Sequence, residues 1–158
     1  MNDTGDGGQG ADHLQLVDLV PYRFHPGVRS LLASALGGTE GIGQALDSYI
    51  DVRDRHLLGF LRERQPLALL GLEIIGRDTA RILHLETAEP PFDAILGTRL
   101  LRQAIARFGL ARLSASVDEG IVAFYGSLGF SAVRREAILP GGRRVECILE
   151  APGASDGS

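Results

Sequence analysis

Apolar and polar positions alternate along the chain in two rhythms, and the switches between them mark out the elements. Leu14 to Val20 reads as a first strand ended by Pro21. Pro26 and Gly27 then open a helical stretch with Val28, Leu31, Leu32 and Leu36 on one face. Gly37 and Gly38 stop it, and Thr39 is placed to cap a second helix through Ile50. From His56 the helical period gives way to short apolar runs divided by turn residues: His56 to Glu63, Leu67 to Ile75 and Ala80 to Thr87. Their dividers are Arg64-Gln65-Pro66 and Gly76-Arg77-Asp78-Thr79, so three consecutive antiparallel strands are expected.

Leu96, Leu100, Leu101, Ala104, Ile105 and Phe108 return to helical spacing, with Thr98, Arg99, Arg102, Gln103 and Arg107 on the opposite side. Arg112 to Val117 reads as a short strand and Gly120 to Leu128 as a short helix. Ala132 to Leu139 and Arg143 to Glu150 form a closing hairpin around Pro140-Gly141-Gly142. Residues 1–12 and 151–158, rich in Gly, Ser, Asp and Pro, lack this periodicity and read as mobile tails around a domain at 13–150. The order predicts an α+β, or mixed α/β, domain with one strand-helix-strand crossover. Ligands of such sheets gather where a strand ends and the crossover helix begins, which directs attention to Leu85 through Arg99.

The chain has 158 residues, enough for one sizeable core and too few for two. Its 20 acidic residues outnumber 16 basic ones, and all 16 are Arg. That balance speaks against a nucleic-acid partner, and the absence of Lys removes Schiff-base and Lys-nucleophile chemistry. Cys147 is the single cysteine, and His13, His25, His56 and His84 are scattered, so neither an internal disulfide nor a metal site is expected. No apolar run approaches the roughly 20 residues of a membrane span, and the acidic, Gly-rich start is unlike a secretion signal; a cytoplasmic protein without membrane contact is the expectation.

Two segments resemble the GCN5-related N-acetyltransferases (GNAT), which move an acetyl group from acetyl-CoA to an amine. Asp118 to Phe130, DEGIVAFYGSLGF, is similar to that family's pattern of Asn or Asp, then Phe or Leu followed by Tyr, three residues, and Gly-Phe. His84 to Gly97, HLETAEPPFDAILG, matches its strand, loop and pyrophosphate-binding turn without a gap. With the strand order, the likeness spans about Leu14 to Glu150. It implies a single GNAT-like domain with a mixed, largely antiparallel sheet, acetyl-CoA as co-substrate, and an acceptor amine on a small molecule or protein. Oligomeric state stays open.

By this resemblance Tyr125 is the general acid at the departing sulfur, against the plainer reading of a half-buried aromatic. Main-chain groups at Leu85 and Thr87 would hold the acetyl carbonyl and pantetheine arm. The amides of Leu96, Gly97 and Thr98, with Arg99, would meet the pyrophosphate. Asp118 would cap the following helix, lie by the CoA arm, or both.

The family's acid early in the strand before the turn falls on Arg81, which cannot accept a proton. Glu86 and Glu73 are the remaining acids of the central strands; an ion pair with an arginine ranks first for each, a general base second. Simple alternation puts Arg81, Leu83, Leu85 and Thr87 on one face and Ile82, His84 and Glu86 on the other. His84 reads as a hydrogen-bonded sheet histidine, Cys147 as a buried small hydrophobe, and the pairs Arg134-Arg135 and Arg143-Arg144 as solvated edge charge.

The turn departs from the family pattern: Phe92 replaces the basic or amide residue, Ile95 replaces the first Gly, and Glu89 and Asp93 add negative charge. A second reading is therefore a non-catalytic module of the same fold. An open cleft between the strands ending near Thr87 and Val117 fits an enzyme, whereas Phe92 or Ile95 filling that cleft fits the module.

Overall fold

A computed structural model describes residues 14–88, 90–139 and 142–151. The expected tails, apart from Ala151, together with Glu89 and the Pro140-Gly141 part of the last turn, lie outside the described residues. The elements are β1 (Val17–Asp18), a 3-10 turn (Val20–Tyr22), α1 (Pro26–Leu36), α2 (Ile42–Asp51), β2 (Arg55–Arg62), β3 (Gln65–Ile74), β4 (Thr79–Thr87), α3 (Ala94–Phe108), β5 (Arg112–Asp118), a 3-10 turn (Glu119–Ile121), α4 (Val122–Ser127), β6 (Ser131–Leu139) and β7 (Gly142–Glu150). The seven strands form one sheet in the order β1-β2-β3-β4-β5-β7-β6. Every neighbouring pair is antiparallel except β4 and β5, which α3 connects as the expected crossover. The α+β reading with a mixed, largely antiparallel sheet holds.

The sheet carries a core on each face. Leu70, Leu72, Ile82, Leu85 and Leu113 meet α3 and α4 through Leu100, Leu101, Ala104, Tyr125 and Leu128. Leu57 and Leu69 meet α1 and α2 through Val28, Leu32, Leu46 and Tyr49 on the other side. Cys147 lies buried in the first core as the small hydrophobe its strand position indicated.

Several boundaries differ from the sequence reading for local reasons. The first strand is only Val17–Asp18, because the backbone of Leu14 and Leu16 is held by α3 instead of a neighbouring strand: Gln103 Nε2 donates to the Leu14 carbonyl at 2.7 Å and the Leu16 N–H donates to Gln103 Oε1 at 2.8 Å. Arg107 donates to the Leu16 carbonyl as well. Thr39 does not cap α2. Gly41 takes a left-handed φ of 91° and the helix starts after it. The turn between β2 and β3 is Glu63-Arg64, both at positive φ (52° and 69°), so Pro66 stands inside β3 opposite Leu61. There a register shift between Phe60 and Leu61 accommodates it.

One irregularity shapes the site. Gly71 pairs with His84 but Leu72 pairs with Ile82, which leaves Leu83 bulged out of the β3–β4 ladder. The expected alternation is thereby corrected: Ile82 and Leu85 face the same core, while Leu83 turns to the α1–α2 side. His84 and Glu86 keep company with α2 and α1, through Tyr49 and Ser34.

Candidate active site

The parallel ladder between β4 and β5 ends at Ile82 opposite Ala115. Beyond it each strand keeps its outer partner, β4 with β3 as far as Thr87 and β5 with β7 as far as Asp118, so the sheet parts in its middle. A cleft of about 330 Å³ fills the gap, lined on one wall by Ile82 to Glu86, on the other by Ser116 to Asp118, and reached by Ser34, Tyr125 and Arg144. It touches both faces of the sheet, since Tyr125 belongs to the core on the α3–α4 side and Ser34 to α1.

Tyr125 sits in α4, 5% exposed, with ring edges against Phe124 and Phe130 at centroid distances of 5.8 and 5.2 Å. Its hydroxyl forms no hydrogen bond among the described residues, and it borders the cleft. Burial raises its pKa above the ordinary tyrosine range, with nearby Cys147 and Glu86 acting the same way and Arg144 opposing. The group is thus a neutral O–H donor at physiological pH.

Glu86 is 6% exposed, and its Oε2 accepts the Ser34 hydroxyl at 2.8 Å. The ion pair that ranked first for it is not formed among the described residues. It lines the cleft from the α1 side, opposite Tyr125. Glu73, in contrast, stands away from the cleft lining and takes the ion-pair role, 3.5 Å from both Arg55 and Arg81. Leu85 lines the cleft.

Asp118 lies at the cleft, but its side chain makes no capping bond. It accepts from Arg144 Nη1 at 2.8 Å instead. Gly97 is a packing position: a Cβ there would come within 3.1 Å of Leu128, so its absence lets α3 approach α4. Thr98 faces a separate groove of about 280 Å³ with Arg102, Leu128 and Leu149, and Arg99 is half-buried in the second turn of α3.

The sequence reading missed Ser34 and Tyr49. Tyr49 completes the Ile42, Leu46, Tyr49 stripe of α2 and reaches over β3 to His84 Nδ1, 2.5 Å from its hydroxyl. Burial raises the Tyr49 pKa, with Arg55 opposing and Glu73 reinforcing, while burial and then Arg55 lower that of His84. Both groups are held neutral, and they share one hydrogen bond whose donor is set by the imidazole tautomer. Gly71 was the available signal, because a mid-strand glycine marks close approach by another group.

Acetyl-CoA fits this site in part. Its acyl-thioester end would find an open cleft bordered by Tyr125, whose hydroxyl has no hydrogen-bond partner among the described residues. At the diphosphate end, Ile95 is 71% exposed and Phe92 50% exposed, so neither plugs the cleft, although Phe92 borders it. Two of the three helix-start amides expected to meet the diphosphate are occupied: the Leu96 N–H donates to Asp93 Oδ1, as does that of Ile95 beside it, and the Gly97 N–H donates to the Asp93 carbonyl. Thr87, expected to serve through its main chain, is not among the residues lining the cleft, and its side chain is engaged by the turn.

A seven-stranded, largely antiparallel sheet whose one parallel pair parts into a through-sheet cleft has the architecture of the GCN5-related N-acetyltransferases, and the fold of this chain is theirs. An aminoglycoside 6'-N-acetyltransferase from Enterococcus faecium superposes with a TM-score of 0.60 at 13% identity, over 84% of this chain and 93% of that one. The Campylobacter jejuni N-acetyltransferase PseH in complex with acetyl coenzyme A gives 0.61 at 12%, over 87% and 98%. A GNAT family acetyltransferase from Elizabethkingia anophelis with acetyl-CoA bound gives 0.60 at 16%, over 89% and 99%. At these identities the likeness is one of fold. No family model matches the sequence and no curated protein is similar to it in sequence. Among the described residues no helix is long and apolar enough to cross a membrane, and no group of three or more His, Cys, Asp or Glu side chains could hold a metal ion.

Proposed function

We propose that the chain is an N-acyltransferase that moves an acetyl group from acetyl-CoA to an amino group of a small molecule or protein. The observation that carries this reading is one cleft bordered by a buried phenol from one face of the sheet and a buried carboxylate from the other. Donor and acceptor can enter from opposite faces and meet in the gap between β4 and β5. Glu86 takes the proton that the attacking amine must lose, with Ser34 fixing the carboxylate. The N–C bond forms, the C–S bond breaks, and Tyr125 hands its proton to the sulfur. The main-chain edge of β4 that no longer pairs with β5 is available to hold the acyl carbonyl and the pantetheine arm.

Thiol release from acetyl-CoA across a panel of amines tests this assignment. Tyr125→Phe is expected to lower amine-dependent turnover about 100-fold or more, the scale of a general acid. Unchanged turnover removes the acid role. The second reading, a non-catalytic module of this fold, draws on the Asp93 carboxylate at the helix start and on Phe92 at the cleft. Donor binding separates the two.

A further inference from the structure

The start of a crossover helix facing a cleft is where a sheet of this kind offers free N–H groups to an anion. In this chain the offer is withdrawn by the chain itself. Asp93 Oδ1 accepts from the N–H of Ile95 at 3.0 Å and of Leu96 at 3.2 Å. The turn that carries Asp93 is anchored from below: its own N–H donates to Thr87 Oγ1 at 3.0 Å, and that hydroxyl donates to the Pro90 carbonyl at 2.8 Å. Thr87 is 3% exposed, so the anchor is part of the interior.

Phe92 holds the same turn from the side. It adopts a left-handed φ of 56° and sets its ring against Phe124 of α4, with centroids 5.2 Å apart and planes at 66°. The pair joins the turn before α3 to α4. A ligand diphosphate at this helix start would have to displace a carboxylate that already satisfies two amides, and would meet that carboxylate's charge once it was displaced. Among the described residues the thioester end has no such competitor: Tyr125 lines the cleft with no hydrogen-bond partner for its hydroxyl, and β4 beyond Ile82 no longer pairs with β5.

We propose that the chain recognises its acyl donor through the acyl-pantetheine end alone, and that Asp93 is the residue that removes a nucleotide diphosphate from recognition. This deepens, and rests on, the acyl-thioester reading of the cleft. The shared chemistry of its donors is a pantetheine thioester, and the nucleotide of acetyl-CoA is carried along without adding affinity.

The test titrates pantetheine and coenzyme A, as thiols, into the intact protein and into Asp93→Gly and Asp93→Asn. The wild type is expected to bind the two within about threefold of each other. Asp93→Gly, which frees the amides, is expected to tighten coenzyme A about tenfold or more and leave pantetheine unchanged. Asp93→Asn keeps the capping geometry without the charge and is expected to give a smaller gain. Wild-type preference for coenzyme A of about tenfold or more overturns the proposal. So does unchanged coenzyme A binding in an Asp93→Gly protein of retained helix content and melting temperature. Failure of both thiols to bind the wild type at millimolar concentration overturns the acyl-thioester reading itself, and this proposal with it.

Discussion

The hydroxyl of Tyr49 occupies the space that a Cβ on Gly71 would fill, and from there it reaches His84 Nδ1. Gly71→Ala therefore forces Tyr49 off its perch on β3, beside the bulge at Leu83. Overpacking of this kind costs about 1–3 kcal/mol. Urea unfolding of Gly71→Ala is expected to show a loss in that range, and part of it should return in the double variant Gly71→Ala with Tyr49→Leu. A stability equal to wild type contradicts the packing described.

His84 gives stability a pH dependence of definite sign. Its pKa in the folded chain lies below the ordinary value of 6.5, through burial and then Arg55, so the unfolded chain takes up the proton first as pH falls. The contribution is complete above that ordinary value and is lost as pH drops below it. Unfolding free energies at pH 7.5 and about pH 5.5 should fall less between the two for His84→Gln than for wild type.

Tyr49 and Tyr125 are both held protonated by burial. In the folded protein neither should contribute to the phenolate absorbance that develops from about pH 9 to 11, and Tyr49→Phe or Tyr125→Phe should leave that titration unchanged. Unfolding in this range releases their protons, so stability falls as pH rises past about 10. A smaller phenolate signal in either variant would show that the ring is solvated.

Ser34→Ala removes the hydroxyl that Glu86 accepts at 2.8 Å. Hydrogen bonds to charged groups contribute about 1.5–3 kcal/mol. Because water from the cleft can replace part of this bond, the expected loss lies toward the lower end. If Glu86 is the base, turnover should fall in Ser34→Ala and recover in Ser34→Thr, while donor affinity stays constant.

Much of this architecture was legible in the residues. Turn residues at 76 to 79 and the apolar stripe from Leu96 to Phe108 separated strands from helices because local chemistry decides both. The resemblance carried by Phe124-Tyr125 and Gly129-Phe130 pointed to the cleft wall that Tyr125 forms. The bulge at Leu83 was not legible, since it arises only when β4 must satisfy β3 on one side and leave β5 on the other. For the same reason simple alternation misplaced Ile82. The Glu63-Arg64 turn lacked the Gly or Asn that usually announces two positive φ angles. Asp93 was readable as a charge, and its role as the N-cap of α3 emerged once the helix proved to begin at Ala94.

The proposed activity depends above all on the gap between β4 and β5 serving as an acyl-donor site. Calorimetric titration of acetyl-CoA into the wild-type protein tests it most directly. Saturable one-to-one binding with a submillimolar dissociation constant is the expected result, and a flat titration at millimolar acetyl-CoA contradicts it.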